Sequence, residues 1–399
     1  MGHTWLIIGG GLHGVHMAVR LVAEGDIDAE QICILDPAET LLSRWRQCSA
    51  TTGMTHLRSP AVHHLDLGPW SLQQFAGKRR SRKPGLFAAP YNRPALSLFN
   101  AHCERVIDTY ALRQCHLQDL AVSCAVNDEG VVVTTASGRS LEAQNVVLAL
   151  GASEHPMWPA WAPRDHPHVH HIFARDFNGW PTDGESPVAV VGGGISAGQV
   201  ALRLLKAGHP VHLVSRHALR QHQFDSDPGW LGPKYMVQYN HEKDLDRRRA
   251  MIQRARHRGS VPPDVRRALQ RAIQSGALTW HEAEIEGLEA AGDAVQLNLT
   301  TPERPQVSRV LLATGFDTAR PGGALVDDLI DAAGLPTAAC GYPIVNADLR
   351  WHPRVHVMGP LAELELGPTA RNIAGARNAA DRIINALGRK QPAPLERAS

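Results

Sequence analysis

The chain has 399 residues, of which 43% are hydrophobic, and a formal net charge of +2. This length is enough for two or three domains with sizeable cores. The nearly balanced charge argues against a dedicated nucleic-acid binder. Because no run of about 18 apolar residues occurs, the sequence predicts no membrane span. The first core strand begins at the N-terminus, so we expect no signal peptide.

The cysteine and histidine patterns argue against a metal site. None of the six cysteines forms a C-x-x-C pair, which disfavours a dithiol redox centre or a zinc knuckle. Cysteines within apolar segments are typical of a reducing compartment, so we expect a cytoplasmic protein. His63-His64 and the histidines of 168–171 lack the H-E-x-x-H pattern and cysteine partners, and we predict no metal.

A glycine-rich turn follows the first predicted strand. The apolar run 5–8 leads into a G-x-G-x-x-G pattern, and an apolar stretch with helical spacing follows over 15–22. In this fingerprint the first glycine makes a tight turn, the second lets the backbone approach a pyrophosphate, and the third allows close helix–strand packing. The helix N-terminus adds free N–H donors and partial positive charge. The predicted cofactor-binding residues here are Gly9, Gly11, Leu12, His13 and Gly14.

An acidic residue closes the second predicted strand. The apolar run 31–35 ends in Asp36, 22 residues after Gly14. An acid about 20 residues beyond the fingerprint typically binds a ribose hydroxyl. We therefore add Asp36 and the adjacent Pro37 to the cofactor site.

Residues 37–90 show little periodicity and are rich in Pro, Gly, Ser, Arg and Trp. A long irregular segment inside a compact domain is usually functional or disordered. The aromatic, histidine and arginine content before residue 70 favours function, and we choose His56 and Arg58 as pocket residues. A helix near 94–106 and short strands over 117–149 follow, and they lead to the candidate cofactor residue Gly151.

The opening pattern then returns as G-x-G-x-x-A. The strand 188–191 precedes it, a helix follows to Lys206, and the next strand, 211–214, ends without an acid. At that position Arg216 offers a planar guanidinium group to a 2′-phosphate, and Ser215 offers a second donor. We predict NADPH rather than NADH at this site. The predicted residues are Gly192, Gly194, Ile195, Ser196, Ala197, Ser215 and Arg216.

One structural plan is used twice along the chain. Fingerprint, helix, strand and short β-meander are followed by Ala-Leu-Gly at 149–151 and by Ala-Thr-Gly at 313–315. This internal repeat predicts an α/β fold with two Rossmann-like domains, each with a small β-meander. The domain with Asp36 should hold FAD and the domain with Arg216 should hold NADPH. The predicted limits are 1–185 and 319–399 for the FAD domain and 186–318 for the NADPH domain.

Two further stretches complete the predicted site. Residues 220–275 are charged and mostly helical in pattern, and we interpret the basic run 247–258 as a solvated helix face. The loop 225–235 is a pocket candidate. A helix over 367–384 would stabilise negative charge on a reduced flavin if its N-terminus lies at the ring, although an ordinary helix fits the pattern equally well. The remaining cofactor candidates are Thr314, Gly315, Gly359, Pro368, Thr369 and Asn372.

With these motifs the sequence resembles the two-dinucleotide-binding flavoproteins. Among them it is most similar to the class B flavin monooxygenases of the N-hydroxylating branch, which includes ornithine and lysine N-hydroxylases. The resemblance rests on both fingerprints and on the run 312–316 with Pro321, which matches the branch's L-A-T-G-aromatic pattern. Trp45 followed by Gly53-Met54 is similar to the branch's loop near the flavin, so Trp45, Met54 and Leu57 join the cofactor candidates. The branch's amino-acid-binding asparagine motif is not evident in 220–240.

The resemblance implies an FAD- and NADPH-dependent monooxygenase. Such an enzyme hydroxylates a nitrogen or another soft heteroatom of a small molecule, using O2 and a C4a-peroxyflavin. The same fingerprints also fit an NADPH-dependent flavoprotein reductase that passes electrons to a separate acceptor, or a non-catalytic redox-sensing protein. We expect neither a nucleic-acid nor a membrane partner, and the sequence leaves a homo-oligomer open.

Overall fold

The computed structural model describes residues 2–78, 82–182 and 185–388. The helices are α1 (Leu12–Glu24), α2 (Ser43–Thr52), α3 (Ser71–Phe75), α4 (Leu96–Thr109), α5 (Ile195–Lys206), α6 (Pro233–His241), α7 (Leu245–Ala255), α8 (Pro263–Gln274), α9 (Gly323–Ala333), α10 (Glu363–Leu366) and α11 (Ile373–Leu387). The strands of the first half are β1 (His3–Ile8), β2 (Ile32–Asp36), β3 (Phe87–Ala88), β4 (Arg93–Pro94), β5 (His116–Gln118), β6 (Ala121–Val126), β7 (Val131–Thr135), β8 (Ser140–Leu148) and β9 (Val169–His171). Those of the second half are β10 (Val188–Val191), β11 (Val211–Ser215), β12 (Arg220–Gln221), β13 (Ser260–Val261), β14 (Leu278–Glu282), β15 (Ile285–Ala291), β16 (Ala294–Leu299), β17 (Gln306–Val307), β18 (Arg309–Leu312), β19 (Arg350–His352) and β20 (Val355–Val357).

The larger sheet is built around β1. Its strand order is β19-β20-β8-β1-β2-β5, and β7 and β6 extend it as an antiparallel meander from β8. Ile7 of β1 pairs in parallel with Ile34 of β2 on one side and with Val147 of β8 on the other. All three side chains are fully buried, as expected for a parallel sheet covered on both faces.

The second sheet repeats this arrangement around β10. Its order is β14-β11-β10-β18-β9, with every pair parallel, and β15 to β17 form a separate antiparallel meander. The edge strand β9 comes from residues 152–187, the connector between β8 and β10. A strand within the range 1–185 therefore completes the second sheet. The α/β fold class with two Rossmann-type sheets is confirmed. The domain limits stay a prediction. The last residues of the predicted FAD domain, 389–399, lie outside the described part of the chain.

The C-terminal helix begins later than the sequence pattern indicates. Residues Pro368–Arg371 form a 3-10 turn, and α11 starts at Ile373. The reason is a side-chain cap, because the Asn372 side-chain oxygen accepts a hydrogen bond from the Gly375 N–H at 2.8 Å. In the described ranges no helix has both the length and the apolar character needed to cross a membrane.

Three histidines are buried beneath α1 and α4. His16 shares a hydrogen bond of 2.8 Å between its Nδ1 atom and the Leu65 carbonyl, and the rings of His64 and His102 meet edge to face at 5.0 Å. Burial lowers the pKa of His16 to about 3 and the pKa values of His64 and His102 to about 4. These rings are therefore neutral in the folded protein at every pH near neutrality.

We expect the stability of the protein to fall as the pH falls from about 6.5 towards 4. In that window the unfolded chain binds protons on these histidines and the folded chain does not, so protonation favours unfolding. Each unit of pKa shift corresponds to about 1.4 kcal/mol. Urea unfolding at pH 7.5, 6 and 5 measures the effect.

A matched pair of variants tests the assignment. His102→Gln should reduce the pH dependence, while His155→Gln, which changes an exposed ring, should leave it unchanged. A wild-type free energy of unfolding that is constant over this window would contradict the prediction.

Candidate functional site

The first glycine turn has the geometry of a dinucleotide site. Gly9 has a φ of +116°, and a Cβ atom there would lie 2.6 Å from the Ala149 carbonyl oxygen. A Cβ atom on Gly14 would lie 1.9 Å from the Gly9 carbonyl oxygen. A Cβ atom on Gly11 would have no other atom within 4 Å. Gly9 and Gly14 are therefore required by close packing, and Gly11 faces the open space that a pyrophosphate would fill.

Asp36 is held beside this turn at the end of β2. Its carboxylate accepts hydrogen bonds from the Gly10 N–H at 2.6 Å and the Ala38 N–H at 2.9 Å. Each carboxylate oxygen keeps a further lone pair for a ribose hydroxyl. Pro37 follows on the surface.

His13 connects the first turn to the C-terminal segment. Its Nε2 atom lies 2.9 Å from the Ala370 carbonyl oxygen, and its ring lies 3.5 Å from the position of a Cβ atom on Gly359, whose φ is +63°. Burial lowers the pKa of His13, so the neutral ring donates to the carbonyl. Leu12 packs against the core of the first sheet.

The second turn repeats the close backbone approach of the first. Gly192 has a φ of +146°, and a Cβ atom there would lie 2.6 Å from the Ala313 carbonyl oxygen. A Cβ on Gly194 would have only Gly259 within 4 Å, with its Cα at 3.7 Å. Ala197 is fully buried in the third position, and Ile195 and Ser196 begin α5. This turn also fits a pyrophosphate.

Ser215 and Arg216 differ in what they offer a ligand. The Ser215 hydroxyl is buried, donates to the His217 carbonyl at 3.0 Å and accepts from Trp280 Nε1 at 2.9 Å. Its proton is thus committed within the protein. Arg216 is exposed on the cavity wall and makes no hydrogen bond or ion pair with any residue in the described ranges. It is available for an anion.

A cavity of about 1230 Å³ opens at the second turn and extends to His13 of the first fingerprint. Its walls carry residues of the second turn, of the crossover 313–318 and of the segment that begins at Gly151. On the side of the first sheet the cavity is lined by His13, Pro360 and Arg371. Across the described residues its lining contains no cysteine, and no group of three potential metal ligands occurs.

Thr314 and Gly315 anchor the segment 313–318 to the segment around Met157. The Thr314 hydroxyl is hydrogen bonded to the Met157 carbonyl and lies 3.1 Å from His171 Nε2. Gly315 has a φ of +84°, and its carbonyl accepts from the Met157 N–H at 3.0 Å. These bonds fix the wall from which Thr314 and Gly315 face the cavity.

The C-terminal candidates belong to segments that contact His13, and among the described residues the cavity lining includes none of Gly359, Pro368, Thr369 and Asn372. Pro368 and Thr369 are buried in the 3-10 turn, and the Asn372 side-chain oxygen is engaged in capping α11. Sequence reasoning missed Gly375, where a Cβ atom would lie 2.1 Å from the Thr369 carbonyl oxygen. A glycine one turn into an otherwise good helix was the available signal.

Four of the predicted residues lie on the segment 45–57 and outside the cavity lining. His56 Nε2 is 2.8 Å from the Gly85 carbonyl, and Leu57 is in the core of the first sheet. The Trp45 indole N–H donates to the Asn100 side chain at 3.0 Å, and Met54 packs against that core. Within the described part of the chain, the cavity lining includes none of the four, so we give them no role in contacting substrate.

Arg58 does line the cavity, but its guanidinium group is occupied. It donates to the carbonyls of Gln223 and His222 at 2.7 Å each, to the Phe224 carbonyl at 2.8 Å and to Ser260 Oγ at 3.0 Å. Arg58 thus clamps the segment before Asp225 to the segment after α7. It positions the cavity wall, and Asp225 itself lines the cavity.

Four arginines that sequence reasoning did not select line the cavity, namely Arg220, Arg256, Arg258 and Arg371. The interpretation of 247–258 as a solvated face is wrong at Arg256, which has Nε and Nη1 atoms that are buried without a hydrogen bond. The reason is that α7 ends at Ala255 and the chain turns inward, forming a β-bridge between Ser226 and Arg256.

Comparison with known proteins gives one family and one fold. A family model described as pyridine nucleotide-disulphide oxidoreductase matches residues 6–244, and no curated protein matches the sequence. An ornithine N-hydroxylase of Kutzneria sp. 744, in a structure with reduced FAD, NADP+ and L-ornithine, superposes with a TM-score of 0.74, 18% identity and coverage of 97% of this chain and 99% of that one. A cadaverine monooxygenase of Erwinia amylovora bound to FAD superposes with a TM-score of 0.73 and 12% identity, covering 97% of this chain and 95% of that one. A bacillithiol disulfide reductase of Bacillus cereus superposes with a TM-score of 0.60 and 16% identity, covering 97% of this chain and 99% of that one.

The glycine geometry generates a paired prediction. Gly14→Ala should lower the melting temperature sharply or prevent folding, because its Cβ atom would overlap the Gly9 carbonyl. Gly11→Ala should fold with nearly the wild-type melting temperature, yet it should purify with less bound dinucleotide, because its methyl group enters only open space. Thermal unfolding and the flavin-to-protein absorbance ratio measure the two effects. Equal melting temperatures for the two variants would contradict the assignment.

Proposed function

Because the chain belongs to the pyridine nucleotide-disulphide oxidoreductase family, we propose that it is an FAD- and NADPH-dependent monooxygenase. It hydroxylates a nitrogen, or another soft heteroatom, of a small molecule. For an amine the balanced reaction is RNH2 + O2 + NADPH + H+ → RNHOH + NADP+ + H2O. The observation that carries this proposal is one cavity that is lined by the second glycine turn and reaches His13 of the first fingerprint.

The first turn and its surroundings fit FAD. The open space at Gly11 and the free N–H groups at the start of α1 suit the pyrophosphate, and the Asp36 carboxylate suits the ribose. On this side the cavity is lined by His13 and by Arg371, the last residue of the turn that His13 contacts. Bound FAD supplies hydride acceptance from NADPH and the activation of O2.

The second turn and its surroundings fit NADPH. The start of α5 presents its N–H groups to the pyrophosphate, and the open space at Gly194 admits it. Arg216, exposed on the cavity wall, binds the 2′-phosphate. The apolar side chains of Trp161, Met157 and Phe316 on the same cavity wall exclude water from the reacting groups.

Cavity chemistry argues against one version of the reductase alternative, the version that reduces a disulfide through its own thiols. A flavoprotein that reduces a disulfide through its own thiols needs a cysteine next to the flavin. In the described residues the cavity lining has none, and the buried thiols of Cys33, Cys103 and Cys124 have raised pKa values because of desolvation. The similarity in fold to the two hydroxylases, at TM-scores of 0.74 and 0.73, exceeds that to the reductase, at 0.60.

The free thiols support a cytoplasmic location. All six cysteines are free, which suits a reducing cytoplasm. We assign the substrate to the small molecules, because the cavity must hold it together with the ends of two cofactors. For the domains we keep the limits 1–185, 186–318 and 319–399, and β9 belongs with the NADPH-binding sheet.

Rapid mixing tests the reaction class. The purified flavoprotein is reduced with NADPH without oxygen and then mixed with oxygenated buffer, and spectra are recorded from milliseconds to minutes. We expect a transient absorbance that differs from both oxidised and reduced flavin, because a water-excluding site slows the loss of activated oxygen. A direct return to the oxidised spectrum, or no reaction with oxygen, would move the assignment to a reductase.

Cofactor choice is tested at Arg216. Arg216→Ala should raise the KM for NADPH about tenfold or more, because one charge-assisted hydrogen bond contributes about 1.5–3 kcal/mol. The KM for NADH, which lacks the 2′-phosphate, should change little. Arg267→Ala, on the exposed surface of α8 and away from the cavity lining, is the control for lost charge. Equal increases in KM for both nucleotides would exclude a 2′-phosphate role.

A further inference from the structure

Arg256 is a buried guanidinium group without a partner. Its side chain lines the cavity immediately after α7, and its Nε and Nη1 atoms are buried without a hydrogen bond. Nowhere in the described ranges does its side chain form a hydrogen bond or an ion pair. Burying an unpaired charge is costly unless an opposite charge completes the site. Arg256 therefore indicates an anion that the described part of the chain does not provide.

The segment that carries Arg256 packs against the second glycine turn. Gly259 has a φ of +65°, and its Cα atom lies 3.7 Å from the position of a Cβ atom on Gly194. On its other side, the Nε2 atom of His217 lies 2.6 Å from the position of a Cβ atom on Gly259. These contacts hold residues 256–260 beside the start of α5, where the turn and this segment both line the cavity.

Arg58 shows what a structural arginine looks like in the same wall. Its guanidinium group donates to three carbonyls and to the hydroxyl of Ser260, four residues after Arg256. Arg256 has no such acceptors within the described ranges. Arg58 and the packing at Gly259 already hold this segment in place, so a structural role does not explain Arg256.

The charged groups around Arg256 do not neutralise it. Four of them face it, one negative and three positive, namely Asp225, Arg249, Arg258 and Arg371. Arg249 and Arg371 share the buried Glu363 carboxylate, and Asp225 forms no ion pair with a residue in the described ranges. Burial, followed by repulsion from Arg371, lowers the pKa of Arg256 to about 10, and it remains charged at neutral pH. The fold thus leaves an excess of positive charge beside the second turn.

A dinucleotide at the second turn has the opposite imbalance. Its pyrophosphate carries one negative charge on each phosphate, whereas the start of α5 supplies the equivalent of about half a positive charge. Arg216 does not supply the rest, because it is assigned to the 2′-phosphate. The anion that the turn is shaped to bind and the cation that the fold leaves unpaired therefore meet at the same place.

The surroundings of Arg256 indicate which of the two phosphates it meets. Arg216, just after β11, is on the side of the adenosine half. Arg256 instead faces Arg371, which follows Ala370, the residue whose carbonyl is bonded to His13 of the first fingerprint. Arg256 is therefore on the side of the turn towards the FAD site, which the nicotinamide half must reach for hydride transfer.

We propose that Arg256 binds the nicotinamide-side phosphate of NADPH, so that the dinucleotide is held between α5 and the segment after α7. The inference rests on the NADPH site of the proposed function and adds a residue from outside both fingerprints. A guanidinium group binds a phosphate with charge-assisted hydrogen bonds. Because Arg58 joins this segment to the chain before Asp225, the bound nucleotide also fixes the wall that the substrate shares.

Nucleotide binding to the oxidised holoenzyme tests the proposal without turnover. Three ligands are titrated by calorimetry: NADP+, 2′-phospho-ADP-ribose, which lacks only the nicotinamide, and adenosine 2′,5′-bisphosphate, which lacks the nicotinamide-side phosphate. Arg256→Gln should weaken the first two by about tenfold or more, because both carry that phosphate. The affinity for the bisphosphate should change less than about twofold.

Three matched variants serve as controls. Arg216→Ala should weaken all three ligands, because each of them carries the 2′-phosphate. Arg254→Gln, which removes an exposed charge from α7, should leave all three affinities within about twofold of wild type. Arg256→Lys, which keeps the charge but not the planar fork, should recover part of the affinity for NADP+.

Three results would overturn the proposal. An unchanged NADP+ affinity in Arg256→Gln would show that Arg256 binds a different anion, and equal weakening of all three ligands would place it at the adenosine half. A clear fall in the melting temperature would show a structural arginine, whereas we expect none, because the variant removes an unpaired buried charge. Since no oxygen chemistry is involved, a failure of the proposed monooxygenase reaction would appear only in the rapid-mixing experiment.

Discussion

Two backbone contacts determine the rest of this structure. At Gly9 and at Gly192 the chain turns so closely past the carbonyl of Ala149 or Ala313 that a Cβ atom would lie 2.6 Å from the oxygen. The carbonyl belongs to the chain just after the parallel neighbour strand, β8 or β18, so each turn is fixed by its own sheet. The tight turn that excludes a side chain at these glycines also leaves backbone N–H groups without partners at the start of the following helix. In this fold, packing and phosphate binding are two consequences of one geometry.

A second level of organisation positions the walls of the cavity. His13 joins the first turn to Ala370, Arg58 clamps the chain before Asp225 to the chain after α7, and β9 crosses from the connector into the second sheet. Each link is made by a single side chain or a short strand, which bonds to main-chain atoms and, at Ser260, to a hydroxyl. Such links position the walls between the cofactor sites, and they use polar groups whose hydrogen-bonding capacity is thereby spent.

The sequence predicted those features that main-chain geometry demands of particular residues. Both glycine turns, Asp36 and the alternation of strands and helices follow from residue type and spacing, and the structure contains them. The irregular segment 37–90 has no period to read, so composition alone could not separate His56, which bonds a carbonyl away from the cavity, from Arg58, which lines it. The three residues of β9 are too few to show a pattern. The end of α7 was missed because a run of arginines continues past it without a glycine or a proline to mark the turn.

The missed arginine explains why composition underestimated the charge of the site. A net charge of +2 over 399 residues suggests an unremarkable surface, yet charge density depends on where side chains converge. The inward turn after Ala255 brings Arg256 and Arg258 towards Arg371, and Glu363 is already shared between Arg249 and Arg371. A fold stabilised only for its own sake would replace Arg256 with an apolar or neutral side chain, because unpaired buried charge opposes folding. Retaining it is reasonable where the opposite charge arrives with a ligand, since binding then recovers the free energy that folding gave up.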